Sequence, residues 1–473
     1  MPLEKGSIQE IRRVFEKQKS NRINLANTTA VERKAKLKKL LNEILSNQDK
    51  ICDAVYKDLR KSKEETRLTE IFAVTAELKH AIRNVNKWMK PKRVSTPLSL
   101  FGSSGRVMYE SIGQSLIIAP WNYPFQLVMG PLTSAIAAGN AVTIKPSEKS
   151  PGTSQLLKEM LESIFPEEEV KIFLGEADVS KELTSLPFNH IFFTGSPEVG
   201  KLVMKAASEN LAKVTLELGG KSPAIINYDA DIKTSAQRIA WGKFMNAGQT
   251  CVAPDYLFVH QSIKEKFVYE LISSVKSLYG ENENLRRENN YCRMINKDHL
   301  NSVKDILDDA VANGGRVIYG GKIDEDDNFI SPTLIENISS DSKLMEKEIF
   351  GPVLPVLTFK NQEEVFDITE KNPNPLALYI FSRNKSFIKS ILKRIPAGSS
   401  AVNEAVLQFA NYNLPFGGIN NSGIGKSHGY YGFKAFSNEK SVLVQRKYST
   451  MTLLYPPYTK FKNMFIDLSI KYF

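Results

Sequence analysis

Short β-rich runs that alternate with helical segments constrain this chain more than any other feature. Residues 8 to about 89 are charged and helical, with apolar residues such as Val31, Leu37, Leu40 and Leu41 at helical spacing. Then the period changes: residues 115–119, 141–144, 170–174 and 190–194 are strand-like runs with helical segments between them. A second series follows Glu217, with residues 222–227, a helix from about Asp231, and further runs at 256–260, 316–319, 353–359 and 377–381. Such runs fit parallel sheets covered by helices, so the expectation is two successive α/β domains with a cleft between them. Residues 92–110 and 441–445 fit neither series. Paired with each other they would make a small protruding sheet for subunit contact; unpaired, each is a surface hairpin.

A length of 473 residues suggests two to three domains with ample core. The net charge of +11 raises the question of nucleic acid or an anionic membrane, but Lys and Arg are interleaved with Asp and Glu, which reads as a solvated basic surface. Residues 1–6 begin no apolar core of a signal peptide, so no secretory signal is read and the cytoplasm is the expected compartment. The most apolar stretch, residues 115–144, is broken by Pro120, Asn122, Pro124, Gln126, Pro131 and Asn140. It reads as a buried strand, a turn and a core helix, not as a membrane span.

The three cysteines, Cys52, Cys251 and Cys292, are too far apart for a disulfide framework or a CxxC metal site. The five histidines are scattered, so no metal site is expected, and no GxSxG elbow is present. Cys251 differs from the other thiols because Gly248 and Gln249 precede it and Pro254 follows, a backbone that can present its side chain on a loop. With Glu217, placed in a second small-residue-rich turn, it suggests a nucleophilic thiol with its own base.

Residues 190–201 read as strand, glycine turn and helix start, the geometry that aims backbone N–H groups at a phosphate. The run lacks GxGxxG. It approaches a Walker A sequence through Gly195, Gly200 and Lys201, but Leu202 stands where a hydroxyl must ligate Mg²⁺. Asn122, between Trp121 and Tyr123 after the first buried strand, either serves its own turn or donates to an oxyanion beside the Cys251 N–H. Lys145 and Glu148 form either a ribose-binding pair or a solvated ion pair. Glu348 and Phe350, two apart, point the same way if the backbone is extended, and bind a ribose and ring or form a strand edge.

Taken together, these motifs resemble, in identity and order, those of the aldehyde dehydrogenase superfamily from about residue 25 to residue 447. Arg446 followed by Tyr455-Pro456-Pro457-Tyr458 is similar to the class 3 or fatty-aldehyde type. The resemblance implies Cys251 as nucleophile, Glu217 as general base and Asn122 as the oxyanion side chain. It assigns Lys145 and Glu148 to the adenosine ribose, Gly195, Ser196 and Gly200 to the pyrophosphate, and Glu348 and Phe350, with Trp121, to the rest of the cofactor. It implies a Rossmann-like cofactor domain (residues 1–91 and 113–216), a second α/β catalytic domain (217–403), an oligomerisation sheet (92–112 and 404–447) and a tail (448–473).

Homodimers are usual for the class 3 type. The implied activity is NAD(P)-dependent oxidation of medium or long aliphatic or aromatic aldehydes to carboxylic acids, with NAD preferred because Glu148 repels a 2′-phosphate. Members that acylate coenzyme A tend to lack the glutamate, so Glu217 favours hydrolysis. Tyr123, Gln126, Met245 and Thr250 are the expected pocket walls. Phe461, Met464, Phe465, Leu468 and Tyr472 predict an amphipathic tail helix that packs on its own dimer, covers the substrate funnel or lies on a membrane surface. The alternatives are a nucleotide-hydrolysing protein and a non-catalytic binding protein reusing the fold.

Overall fold

A computed structural model of the chain describes residues 5–281, 291–339, 342–447 and 450–472. Residues 1–4, part of the stretch read for a secretory signal, lie outside the described residues.

Two main sheets organise the molecule. The first has six strands in the order Gly423–Ile424, Lys213–Leu218, His190–Gly195, Gln114–Ile118, Ala141–Lys145 and Val170–Ile172. All pair in parallel except Gly423–Ile424, which runs antiparallel along Lys213–Leu218. Its central strands are buried on both faces, with Ile117, Ile144 and Phe192 inside one core and Leu116, Ile191 and Leu216 inside another. That two-sided burial explains why these runs lack apolar–polar alternation. The chain enters at Gln114–Ile118, adds strands to one side, then crosses to His190–Gly195 on the other. This reversal is a topological switch point, where open α/β sheets hold ligands beyond the carboxyl ends of their strands.

The second sheet has seven strands in the order Arg316–Tyr319, Thr333–Glu336, Val353–Phe359, Tyr256–His260, Pro223–Ile226, Ala377–Phe381 and Ser399–Val402. Only the Arg316–Tyr319 edge is antiparallel. Among the described residues six strands escaped the sequence reading: Thr333–Glu336, Ser399–Val402, the two-residue pieces Ile323–Asp324, Phe329–Ile330 and Gly423–Ile424, and Lys213–Leu218. The last corrects the placement of Glu217 in a turn, because the residue sits within a strand, opposite Thr194 on one side and Gly423 on the other.

The two unassigned β-rich pieces do pair. Ser103–Ser111 runs antiparallel to Ser437–Gln445 along its whole length, with Lys92–Val94 on its other edge. The apolar stretch resolves into the strand Gln114–Ile118, a turn, the buried helix Gln126–Ala138 and the strand Ala141–Lys145. The tail forms the helix Lys460–Tyr472, whose Phe461, Met464 and Leu468 are exposed. Among the described residues no helix is long and apolar enough to cross a membrane.

Candidate active site

Cys251 follows a tight turn in which Asn246, Ala247 and Gly248 all have positive φ, at 55°, 51° and 74°. Such a run is unfavourable for the two residues that carry a Cβ and persists only where surroundings impose it. Asn246 supplies much of that support, since its side-chain amide donates to the carbonyls of Asn122 (2.8 Å) and Gln249 (3.1 Å). Gln249 ties the turn outward, donating to Arg293 O at 3.0 Å and accepting from Ile295 N at 3.0 Å. Tyr379 Oη donates to Val252 O just beyond the thiol. Cys251 is therefore a partly exposed side chain on a fully braced loop.

Asn122 arrives from the turn after Gln114–Ile118. It is buried, and its Nδ2 donates to Gln249 O at 3.0 Å, beside the cysteine. One amide proton is used there and the other is available to an oxygen forming on a Cys251 adduct. Glu217 lines the same cleft as Asn122 and Cys251. Its Oε1 accepts from Ser427 Oγ at 2.7 Å, while Oε2 is buried with no partner among the described residues. Burial pushes its carboxyl up to about 8, opposed by the Ser427 hydrogen bond and the charge of Lys426. The Cys251 thiol is pushed up to about 12 by burial first, then by the carboxylates of Glu348 and Glu217. A thiol so placed needs help to ionise.

Two cavities meet at Cys251. The first, of about 470 Å³, runs between the two sheets and is lined by Trp121, Asn122, Gly195, Ser196, Glu217, Glu348 and Phe350, among others. Ser196 caps the helix Pro197–Ser208, so that helix points its free N–H groups into this cleft. Gly219 passes so close to Glu348 that a Cβ would lie 1.8 Å from its Oε2. Trp121, His299 and Phe350 form an aromatic cluster with ring centroids 5.2 to 6.0 Å apart. A glycine-lined cleft with a helix N-terminus at a switch point and an aromatic wall fits a dinucleotide.

The sequence-predicted cofactor residues do not all line it. Gly200 is buried inside the helix, where a Cβ would meet Leu218 at 2.7 Å, so it permits close helix–strand packing. Lys145 is buried and pairs with the half-exposed Glu148 at 2.6 Å, at the end of a neighbouring strand. Glu348 and Phe350 both face the cleft, but not through extended backbone, since Phe350 has φ 50°. Asp255 imposes this turn: it accepts from Ile349 N at 3.1 Å and from Lys221, which itself donates to Leu344 O and Lys347 O.

The second cavity, of about 340 Å³, has an apolar wall that includes Leu68, Phe72, Trp241, Val406 and Phe409. The expected walls Tyr123, Gln126, Met245 and Thr250 all contribute. Among the described residues no cluster of His, Cys, Asp and Glu could hold a metal ion.

The sequence profile of the aldehyde dehydrogenase family matches residues 3–442. The chain is a member of the aldehyde dehydrogenase family. It is 42% identical to the 4,4'-diaponeurosporen-aldehyde dehydrogenase of Staphylococcus aureus over 91% of this chain and 93% of that protein. It is 38% identical to aldehyde dehydrogenase family 3 member B2 of Mus musculus, over 93% of this chain and 90% of that one. The solved substrate-bound state of Staphylococcus aureus AldH superposes with a TM-score of 0.93 at 39% identity, covering 97% of this chain and 99% of that chain.

This aldehyde dehydrogenase thus has the α/β fold and class 3 affinity that its motifs imply, and it oxidises aldehydes with NAD or NADP as acceptor. The nucleotide-hydrolysing alternative loses its footing: Gly195 ends a strand, and Pro197 opens the helix that holds Gly200, Lys201 and Leu202. Sequence reasoning missed Ser427, Asn246 and His299. Ser427 follows directly on the glycine-rich run of residues 414–426, and proximity to that run was the available signal.

Proposed function

We propose that this enzyme converts medium or long aliphatic or aromatic aldehydes to carboxylates by covalent catalysis on Cys251. The observation that carries this reading is the convergence on one thiol of an apolar cavity and a glycine-lined cleft, with an orphaned buried carboxylate oxygen beside them.

In this mechanism Cys251 attacks the aldehyde carbon. The alkoxide that forms takes hydrogen bonds from the free Asn122 amide proton and the Cys251 N–H, donors worth about 3 kcal/mol each in a transition state. Trp121, Gly195, Ser196, Glu348 and Phe350 would hold NAD⁺ in the cleft, with Lys145 and Glu148 at the neighbouring strand end to meet its ribose and Gly200 allowing the helix to pack close, and the cofactor would accept the hydride whose loss turns the Cys251 adduct into a thioester. Glu217 then takes a proton from the water that hydrolyses the Cys251 thioester. With its carboxyl pushed up to about 8, the base is increasingly available as pH rises through that value, so deacylation accelerates over the same range. Ser427 orients one oxygen and leaves the other for water.

The negative charge of Glu148 supports preference for NAD over NADP. The apolar wall supports aldehydes with an extended apolar part, and the 42%-identical relative is named for 4,4'-diaponeurosporen-aldehyde. We further propose a homodimer built through the small antiparallel sheet, a cytoplasmic location, and the division into cofactor (1–91, 113–216), catalytic (217–403), oligomerisation (92–112, 404–447) and tail (448–473) parts. The exposed apolar face of Lys460–Tyr472 suits the dimer or the substrate funnel, with peripheral membrane contact as the other reading.

The test is NADH formation over a panel of aliphatic and aromatic aldehydes, with and without coenzyme A, for wild type, Cys251→Ala and Glu217→Gln. Cys251→Ala should abolish turnover. Glu217→Gln should retain one rapid turnover of NADH per site but lose about 10²- to 10⁴-fold in steady state. Steady-state activity equal to wild type in Glu217→Gln, or rates that depend on coenzyme A, would refute the hydrolytic assignment.

A further inference from the structure

Against the Asn122 loop, Lys61 and Glu70, which line neither cavity, form an ion pair at 2.8 Å whose side chains are completely buried. Desolvating two charges costs several kcal/mol per ion, and a buried pair is often no more stabilising than apolar residues of the same volume. Its contacts point to a use beyond stability. Glu70 Oε2 accepts from Phe125 N at 3.1 Å and Gln126 N at 2.9 Å, satisfying two free donors at the start of the helix Gln126–Ala138. Lys61 Nζ donates to Glu70 Oε1 and to Asn122 O at 3.4 Å, and lies 4.2 Å from the centroid of the Tyr123 ring. Tyr123 Oη in turn shares a 2.7 Å hydrogen bond with Thr250 Oγ1. The pair therefore grips the Asn122 loop at residues 122, 123, 125 and 126.

A second carboxylate on the same segment grips the other loop. Glu65 Oε1 accepts from Asn246 N at 2.8 Å, and Asn246 is the residue whose amide joins the Asn122 and Gln249 carbonyls. Glu65 and Glu70 are linked by the helix Lys63–Thr66 and the π-helix Arg67–Phe72. A π-helix bonds i to i+5, and such insertions are rare and occur frequently at functional sites.

We propose that residues 61–70 are a template that sets the oxyanion hole: Lys61 and Glu70 fix the Asn122 loop while Glu65 fixes the Cys251 loop, so that the two donors converge on one oxygen. Lys61, Glu65 and Glu70 are positioning residues. This inference rests on the oxyanion role proposed for Asn122.

The experiment is a double-mutant cycle on the full-length enzyme. Single-turnover NADH formation is measured for wild type, Glu70→Gln, Asn122→Ala and the two combined, together with NADH affinity. Glu70→Gln should slow the single turnover by about 10- to 100-fold, the cost of misplacing a catalytic group by about 1 Å. NADH affinity should stay within about twofold, and in the Asn122→Ala background the same change should cost no more than about twofold. Equal fold-losses in both backgrounds, or a parallel loss of NADH binding, would overturn the proposal. Asn122→Ala with an unchanged rate would instead remove the oxyanion assignment itself. Should Glu70→Gln not fold, the doubly neutral Lys61→Met/Glu70→Gln protein leaves no unpaired buried charge and enters the same cycle, with the same outcomes read in the same way.

Discussion

The cofactor cleft and the substrate cavity share Cys251 and differ in how they are built. The cleft is shaped largely by backbone: the Gly195 and Gly219 turns, a helix N-terminus capped by Ser196, and a Phe350 turn held by Asp255 and Lys221. The cavity is shaped by side chains brought from segments remote in sequence, such as Phe72, Tyr123, Trp241 and Phe409. Backbone geometry tolerates few residue types at each position, whereas an apolar wall of given volume can be made in many ways. A common cofactor beside a variable aldehyde suits that division of labour.

Among changes that separate the cleft from the cavity, adding one methyl group to the cleft should produce the largest effect. A Cβ on Gly219 would lie 1.8 Å from Glu348 Oε2, so Gly219→Ala must displace that buried carboxylate. Overpacking of this kind costs about 1–3 kcal/mol, and where that cost falls on the cofactor-bound cleft it predicts NAD⁺ affinity weakened by roughly 5- to 150-fold. Cysteine-dependent hydrolysis of an activated ester, which needs no hydride acceptor, should change little. Titration of cofactor binding alongside an ester assay separates the two, and equal losses in both would show that the cleft and cavity are not independent.

On the other side, Phe409→Ala should enlarge the apolar wall without touching the cleft. Discrimination of about tenfold per methylene is typical of hydrophobic pockets. The variant should therefore shift kcat/KM about tenfold from shorter toward longer or bulkier aldehydes, with NAD⁺ affinity unchanged. An unaltered chain-length profile would mean that this cavity is not where the aldehyde tail lies.

The same contrast explains what could be read in the sequence. Parallel strands announce themselves as apolar runs, and the glycine turns after them as short motifs, so four strands of the first sheet and the cleft residues Gly195, Ser196 and Cys251 were legible, whereas Lys213–Leu218, which opens on the exposed Lys213, and the two-residue Gly423–Ile424 were not. Thr333–Glu336 and Ser399–Val402 are only four residues long, and the latter is not buried on both faces, so neither stood out. Lys61 and Glu70 were illegible for another reason. Nine residues apart on a charged helical stretch, they look like solvated charges, and only tertiary packing puts them against the Asn122 loop. Glu348 and Phe350 were placed correctly in the cleft through a wrong local geometry, because nothing in their spacing announces the Asp255 bond that bends the chain.

Glu217 lines the cleft, and its burial should leave a small mark on stability as well as on rate. Its carboxyl rises from an ordinary 4.5 to about 8 in the folded protein, with burial the main cause. Between those values the folded state holds a proton that the unfolded chain has lost. Stability from this group is therefore complete below about pH 4.5 and drains away as pH rises to about 8. Glutamine can keep the Ser427 hydrogen bond but cannot ionise. Glu217→Gln should match wild type in thermal midpoint near pH 5 and exceed it by roughly 3 °C near pH 8.5, a shift of the size expected for a modest change in a large domain. A difference that stays constant across that range would mean that the Glu217 carboxyl titrates as it does in water, and the substrate-side water would then meet a base with no stored driving force.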